Sequence, residues 1–296
     1  MIDRQLLART PLISASTLLD LLPHFKNETL ESVWDILALV LGEFKLFAPP
    51  ETQAHKLYQQ YISRLIATQY QRLGLESKPD EPSNDTKLRA LILGFGVYTD
   101  DDEKLNQIAN LYQENYADLD SETRVAVLEA KFKTSNEEIF ERLLTVYRQT
   151  ADPELKNDLL GVLTTAKNPD NINTLIALLE QPEIIRPQDH LYLLAYLLQN
   201  YYSRRQAFDW LYSHWDYCVK LSGEKTADDY IRISASRVRT IEESKRFDEF
   251  FEPLKNTPAF SRSINVAQAD IAARLRWIKD NQDQIEDKLK NVLKNS

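Results

Sequence analysis

The sequence predicts an all-α protein, a superhelical α-solenoid of antiparallel helix pairs (HEAT/ARM-like) that curves into a concave bowl. Three observations carry this expectation. Only 6 glycines occur in 296 residues. Apolar side chains recur at helical period through almost every segment, and prolines, Asp, Ser and Asn stand where helices would begin. At 43% hydrophobic residues the chain can bury a large core, yet it is too long for one small bundle.

The elements follow in order. SVWDILALVLGEFKLF places Val33, Trp34, Leu37, Val40, Leu41 and Phe44 on one broad stripe. PPETQAHKLYQQYISRLIATQYQRLG opens on proline, repeats Leu57, Tyr61 and Leu65, and ends on Gly74, the expected punctuation of a helix. The polar stretch LESKPDEPSND, residues 75–85, reads as a loop and a possible subdivision of a single domain spanning 1–296. Beyond it, helices are expected over 86–97, 102–116, 121–133, 136–150, 153–167 and 171–179. Their starts lie about 15 to 18 residues apart, so a pair occupies about 33, in the range of helical-hairpin repeats. The segment 190–199, with Leu191, Leu193, Leu194, Tyr196, Leu197 and Leu198, lacks a polar face and belongs to an inner layer. A final amphipathic helix runs through Ile271, Leu275, Ile278, Ile285 and Leu289 and is expected to seal the end of the array.

Charge narrows the function classes. Net charge is −9. Cations number 10 against 12 anions in residues 1–100, 9 against 18 in 101–200, and 17 against 15 in 201–296. Nucleic-acid binding needs a basic face and is disfavoured, while the C-terminal third is the place to receive an anionic group. One cysteine, Cys218, excludes an intrachain disulfide and suits a reducing compartment. The first residues lack a signal-peptide pattern and no apolar run is long enough to span a bilayer, so a cytoplasmic protein without membrane partners is expected.

Most candidate chemistry has an ordinary structural explanation. The histidines are His24, His55, His190 and His214; none lies in a metal-binding spacing, so no metal site is expected. His214 and Cys218, four apart, suggest a Cys-His nucleophile pair, but their neighbours Trp210, Tyr212, Trp215 and Tyr217 speak for packing. Gly94-Phe95-Gly96 lacks a third glycine and reads as a helix made tight for a neighbour rather than a dinucleotide loop. TDDDEK, 99–104, caps or solvates a helix start.

Two basic features remain. Arg186 and Gln188 stand in front of helix 190–199. In YIRISASRVRT, Arg232 and Arg239 lie seven apart on an expected helix face with Arg237 beside them. Either these are solvated arginines paired with Asp228, Asp229 or Glu243, or they line a concavity and bind a carboxylate or a peptide backbone through the planar guanidinium fork.

The segments IRPQDHLYLLAYLLQN, AFDWLYSHWDYCVKL, SRVRTIEESKRFDEFF and ARLRWIKDNQDQIEDKL resemble, in order, the C-terminal helical (ERAP1-like) domain of M1-family zinc aminopeptidases of the aminopeptidase N type. Ile185, Arg186, Gln188 and Asp189 match one family pattern, Ala207, Trp210 and Trp215 a second, Trp277 and Asn281 a third. LLDLLPHFKNETLESVWDILALVLG and YQRLGLESKPDEPSNDTKLRALILG follow the family's opening helices. Departures occur at Phe208, His214 and Val238, where many members carry Trp, Asn and an aromatic residue. The Gly-x-Met-Glu-Asn loop and the His-Glu-x-x-His zinc helix of the family's catalytic part do not occur. The resemblance thus implies a separated C-terminal domain, catalytically inactive by itself and without a cofactor of its own. Its partners would be the thermolysin-like zinc domain of the same enzyme and peptide substrates. Arg186, Gln188, Arg232 and Arg237 would be chamber-lining or substrate-contacting groups. The rival readings are a free-standing HEAT-like interaction scaffold and a small hydrolase using His214 and Cys218.

Overall fold

The computed structural model describes residues 15–135 and 138–294. Among these every regular element is a helix, so the all-α expectation holds. In chain order they are α1 (Ser16–Leu21), α2 (Glu31–Phe44), α3 (Gln53–Leu73), α4 (Ser83–Tyr98), α5 (Asp102–Ala109), α6 (Arg124–Thr134), α7 (Glu138–Gln149), α8 (Pro153–Leu163), α9 (Pro169–Leu178), α10 (Pro187–Gln199), α11 (Arg204–Ser213), α12 (Trp215–Ser222), α13 (Glu224–Arg237), α14 (Ile241–Phe251) and α15 (Pro258–Lys294). Contacts divide the chain into two compact units, residues 1–142 with 278–296, and residues 143–277. The loop 75–85 lies inside the first, and α15 contributes its beginning to the second unit and its end to the first.

In the first unit α3 packs on α4, α4 on α2 and α6, and α5 on α6. The stripe read from α2 is buried at Trp34, Leu37, Val40, Leu41 and Phe44, and that of α3 at Leu57, Tyr61 and Leu65. Each such side chain contributes about 1.5–3 kcal/mol by leaving water. Two buried tyrosines of α3 satisfy their hydroxyls: Tyr58 Oη donates to the Leu41 carbonyl at 2.7 Å and Tyr61 Oη to that of Leu19 at 2.8 Å. Gly74 ends α3 at φ +68°, a conformation that favours glycine. Gly96 serves close approach, since a Cβ there would stand 3.2 Å from the Tyr70 ring of α3. The tight-helix reading of that glycine pair therefore holds at Gly96.

Capping follows the sequence. The side chains of Asp101, Asp152 and Asn168 accept backbone N–H groups in the first turns of α5, α8 and α9. One end differs from expectation: the helix begun at Asp102 stops at Ala109, not near 116. Beyond it Asn115 Nδ2 donates to Asp118 Oδ2 at 3.0 Å, and the Tyr112 and Tyr116 hydroxyls meet at 3.2 Å. Such local polar bonds compete with the helical ladder.

In the second unit α10 packs on α11 and α13, α12 on α13, and α9 on α11. Leu193, Leu194, Leu197 and Leu198 of α10 are fully buried, as an inner helix requires. The helix nevertheless has an open side, carrying Gln188, Tyr192 and Gln199. Tyrosine's polar tip tolerates this position, which is why apolar counting missed it.

Candidate functional site

Arg186 is the N-cap residue of α10, held extended at φ −60°, ψ 148° by the following proline. Its Nε donates to Asp189 Oδ2 at 2.6 Å, and its side chain stays 43% exposed. The pair borders a shallow recess with Tyr147, Lys156, Asn157 and Tyr192. Gln188 is exposed on the first turn of α10. This lip therefore offers one cation, already partnered by a carboxylate, and one free-standing amide-bearing residue on the surface.

Arg232 sits elsewhere on α13. It is 59% exposed and pairs with Asp228 at 3.7 Å and with Asp229, the ordinary arrangement of a solvated arginine. The expected shared face with Arg239 does not form. Helix α13 ends at Arg237, Val238 turns extended at φ −64°, ψ 126°, and Thr240 opens a capping box for α14. Val238 is fully buried, so the chain breaks the helical register to seat an apolar side chain and start the next helix. Arg239 is thereby carried off the α13 face.

Arg237 lies in a different setting from either Arg186 or Arg232. Its Nε is buried without a hydrogen-bond partner among the described residues. Burial, and then the cations Arg204 and Arg274, hold its pKa below the usual arginine range. Arg239, beside it, is pushed down to about 9 by burial and then by Arg274, Arg204 and Arg237. Arg204 starts α11 and Arg274 belongs to α15, so four guanidiniums from four segments gather here. Arg204 and Arg274 escaped the sequence reading because nothing in local spacing links positions 30 to 70 residues apart.

The nucleophile pair does not assemble. His214 is the break between α11 and α12, stacked on Trp210 with ring centroids 4.7 Å apart, and its Nε2 lies 3.4 Å from Glu180 Oε1. Cys218 is fully buried, and burial pushes its thiol up to about 12, the opposite of an activated thiolate. The other signature residues are packing groups as well. Ala207, Trp210, Trp215, Trp277 and Ile185 are buried, and Trp210 Nε1 donates to Glu180 Oε1 at 3.0 Å. Trp215 meets Phe251 and Phe260 edge-on at 5.3 and 5.5 Å. Asn281 accepts the Ala15 N–H at 3.2 Å.

Among the described residues no group of three or more His, Cys, Asp or Glu side chains could hold a metal ion. No helix among them is long and apolar enough to cross a membrane. What the geometry offers is arginine-based recognition: a paired guanidinium on a lip, and a half-buried cluster of cations.

Comparison with known proteins identifies the class. The family of the ERAP1-like C-terminal domain matches residues 3–273, and the chain belongs to it. Aminopeptidase N of Lactococcus lactis subsp. lactis (strain IL1403) is 28% identical over 295 residues, covering 98% of this chain and 35% of that protein. Aminopeptidase N of Lactobacillus helveticus is 29% identical over 290 residues, 96% of this chain and 34% of that protein. Aminopeptidase M1-B of Oryza sativa subsp. japonica is 26% identical over 274 residues, 89% and 31%. The chain thus spans about a third of the length of the curated relatives it matches, and it aligns with their C-terminal part. This favours the aminopeptidase-domain reading over a free-standing scaffold.

Proposed function

We propose that this chain is the helical domain that caps the catalytic domain of a cytoplasmic M1 zinc aminopeptidase and shapes the chamber in which peptides lose their N-terminal residues. The family match over residues 3–273, joined to aminopeptidase N relatives across their C-terminal part, carries this reading. In it the helix pairs continue into a superhelical bowl facing a thermolysin-like domain. Zinc and the bond-breaking groups belong to that domain. Arg186 and Gln188 line the chamber or the interdomain surface, Arg232 lies at its charged rim, and Arg237 contacts the distal part of a peptide. These residues bind and orient; no proton or bond passes through them.

The chain alone is then inactive. Assayed on aminoacyl substrates with and without added zinc, it should give no turnover above background, and genuine turnover would refute the proposal. In an intact parent enzyme, Arg186→Ala should raise KM for long peptides by about 3- to 10-fold while leaving kcat on a dipeptide unchanged, the signature of lost uniform binding.

A further inference from the structure

We infer that Arg204, Arg237, Arg239 and Arg274 of the second unit form a binding site for a small multivalent oxyanion, of the phosphate, pyrophosphate or polycarboxylate class. Two of the guanidiniums share an acceptor, and a third lies beside Glu243, the carboxylate that caps the start of α14. Arg239 Nη1 and Arg274 Nη1 lie 3.3 and 3.4 Å from the Val238 carbonyl oxygen. They also donate to the Ser236 and Ala235 carbonyls at 2.8 and 2.7 Å. Arg204 Nε donates to the Leu198 carbonyl at 3.0 Å, and its Nη1 lies 3.9 Å from Glu243 Oε1.

Helix capping explains part of this gathering. The Ala235, Ser236 and Val238 carbonyls are the last of α13, and Leu198 and Gln199 close α10; cations are favoured at such ends. Each end supplies only about half a negative charge. Glu243 is the carboxylate set against Arg204 and Arg239, and its Oε2 is already engaged by the backbone N–H groups of Arg239 and Thr240 at 2.6 and 3.1 Å. Leaving Arg274 aside, Arg204 and Arg239 face this one carboxylate, while the charges acting on Arg237 are those of other arginines. Like charges held together away from water destabilise a fold unless counter-charge is provided. The buried, unpartnered Nε of Arg237 marks where a donor stands ready.

With Arg274 set aside, one carboxylate and two helix ends of about half a charge each leave about one positive charge spread over three guanidinium forks; an anion with several oxygens can answer more than one fork at once, which favours it over a single carboxylate. Arginine forks match the paired oxygens of phosphate and carboxylate groups. Arg237 and Arg239 are only partly buried, and the Arg204 side chain keeps 14% of its exposure, so a small ion can reach them. The inference goes beyond the aminopeptidase reading and does not rest on it, since it concerns the chain alone.

Titration calorimetry of the full chain with inorganic phosphate, pyrophosphate and citrate, against acetate and chloride at constant ionic strength, tests it. Pyrophosphate and citrate should bind at least tenfold more tightly than acetate, with phosphate between. Arg237→Gln should weaken pyrophosphate binding by about tenfold and Arg232→Gln should leave it unchanged. Glu243→Gln has the opposite sign. Glutamine preserves the capping acceptor while removing the competing charge, so affinity should rise several-fold; this variant decides the matter even where Arg237→Gln fails to fold. Equal response to all anions, an unmoved affinity in both Arg237→Gln and Glu243→Gln, or binding confined to a peptide bearing a free C-terminal carboxylate would each overturn the site.

Discussion

Arg89 in the first unit and Arg237 in the second are both arginines drawn out of water, and they are treated in opposite ways. Arg89 is wholly buried, yet both of its terminal nitrogens reach the Glu81 carboxylate, and its Nη2 and Nε also donate to the Leu73 carbonyl at 3.0 and 3.3 Å. Its charge and its donors are accounted for within the fold, and the guanidinium holds the Glu81 carboxyl below the usual carboxylate range. Arg237 is less buried but worse provided: its Nε lacks a partner among the described residues, and the charges that lower its pKa, after burial, are other arginines. A fully paired buried cation ties together the loop before α4 and the end of α3. An under-compensated one costs stability unless solvent or a bound counter-charge answers it.

The largest effect is expected at Arg89. Arg89→Ala removes the bidentate pair, strips the Leu73 carbonyl of its donors and leaves a cavity between α3 and α4. Stability should fall by about 3–5 kcal/mol, measured by urea unfolding. A loss below about 1 kcal/mol would mean that the pair is ornamental and that burial alone does not separate the two arginines.

A smaller effect sharpens the contrast at His190, a third buried basic group. It packs against Trp210, Tyr217 and Tyr230, with Nδ1 2.9 Å from Tyr230 Oη. Burial lowers its pKa from 6.5 to about 4. Between those values the unfolded chain binds a proton that the folded chain refuses, so stability falls as pH drops from about 6.5 to 4 and levels below that range. The full contribution is on the order of 3 kcal/mol. His190→Gln should flatten this part of the stability-pH curve; an unchanged slope would show that the imidazole is charged, or solvated, in the fold.

The smallest effect is expected at Arg232. Its pairs with Asp228 and Asp229 are exposed and follow helical spacing, so Arg232→Ala should change stability by no more than about 0.5 kcal/mol, and less in high salt. A larger change would place this arginine with Arg89 rather than with the solvated surface.

Much of the architecture was legible because it is written locally. Apolar spacing located the buried faces of α2 and α3, and Asp101, Asp152 and Asn168 announced their helices by the capping chemistry of their own side chains. The failures are local rules overruled by contacts. The helix begun at Asp102 ended early where Asn115, Asp118 and two tyrosines found each other. The helix through Arg232 ended early where Val238 had to be buried and Thr240 capped its successor. His214 and Cys218, one helical turn apart, were separated in role by the stacking of the imidazole on Trp210 and the burial of the thiol. Of the candidate site, Arg186, Gln188, Arg232 and Arg237 could be named as candidate cations and amides, but neither their burial nor the company each would keep.

By itself the sequence determined the all-helical class, most helix starts and the family, through ordered aromatic and polar positions along the chain. Helical periodicity and capping act over a few residues and are readable as strings. Only the tertiary structure decided which charges meet. Arg204, Arg239 and Arg274 come from separate helices and a linker, brought together by the burial of apolar faces that carry no information about charge. The force that assembles the core is non-directional, so the electrostatic sites it creates at its margins emerge from packing geometry rather than from any spacing in the chain.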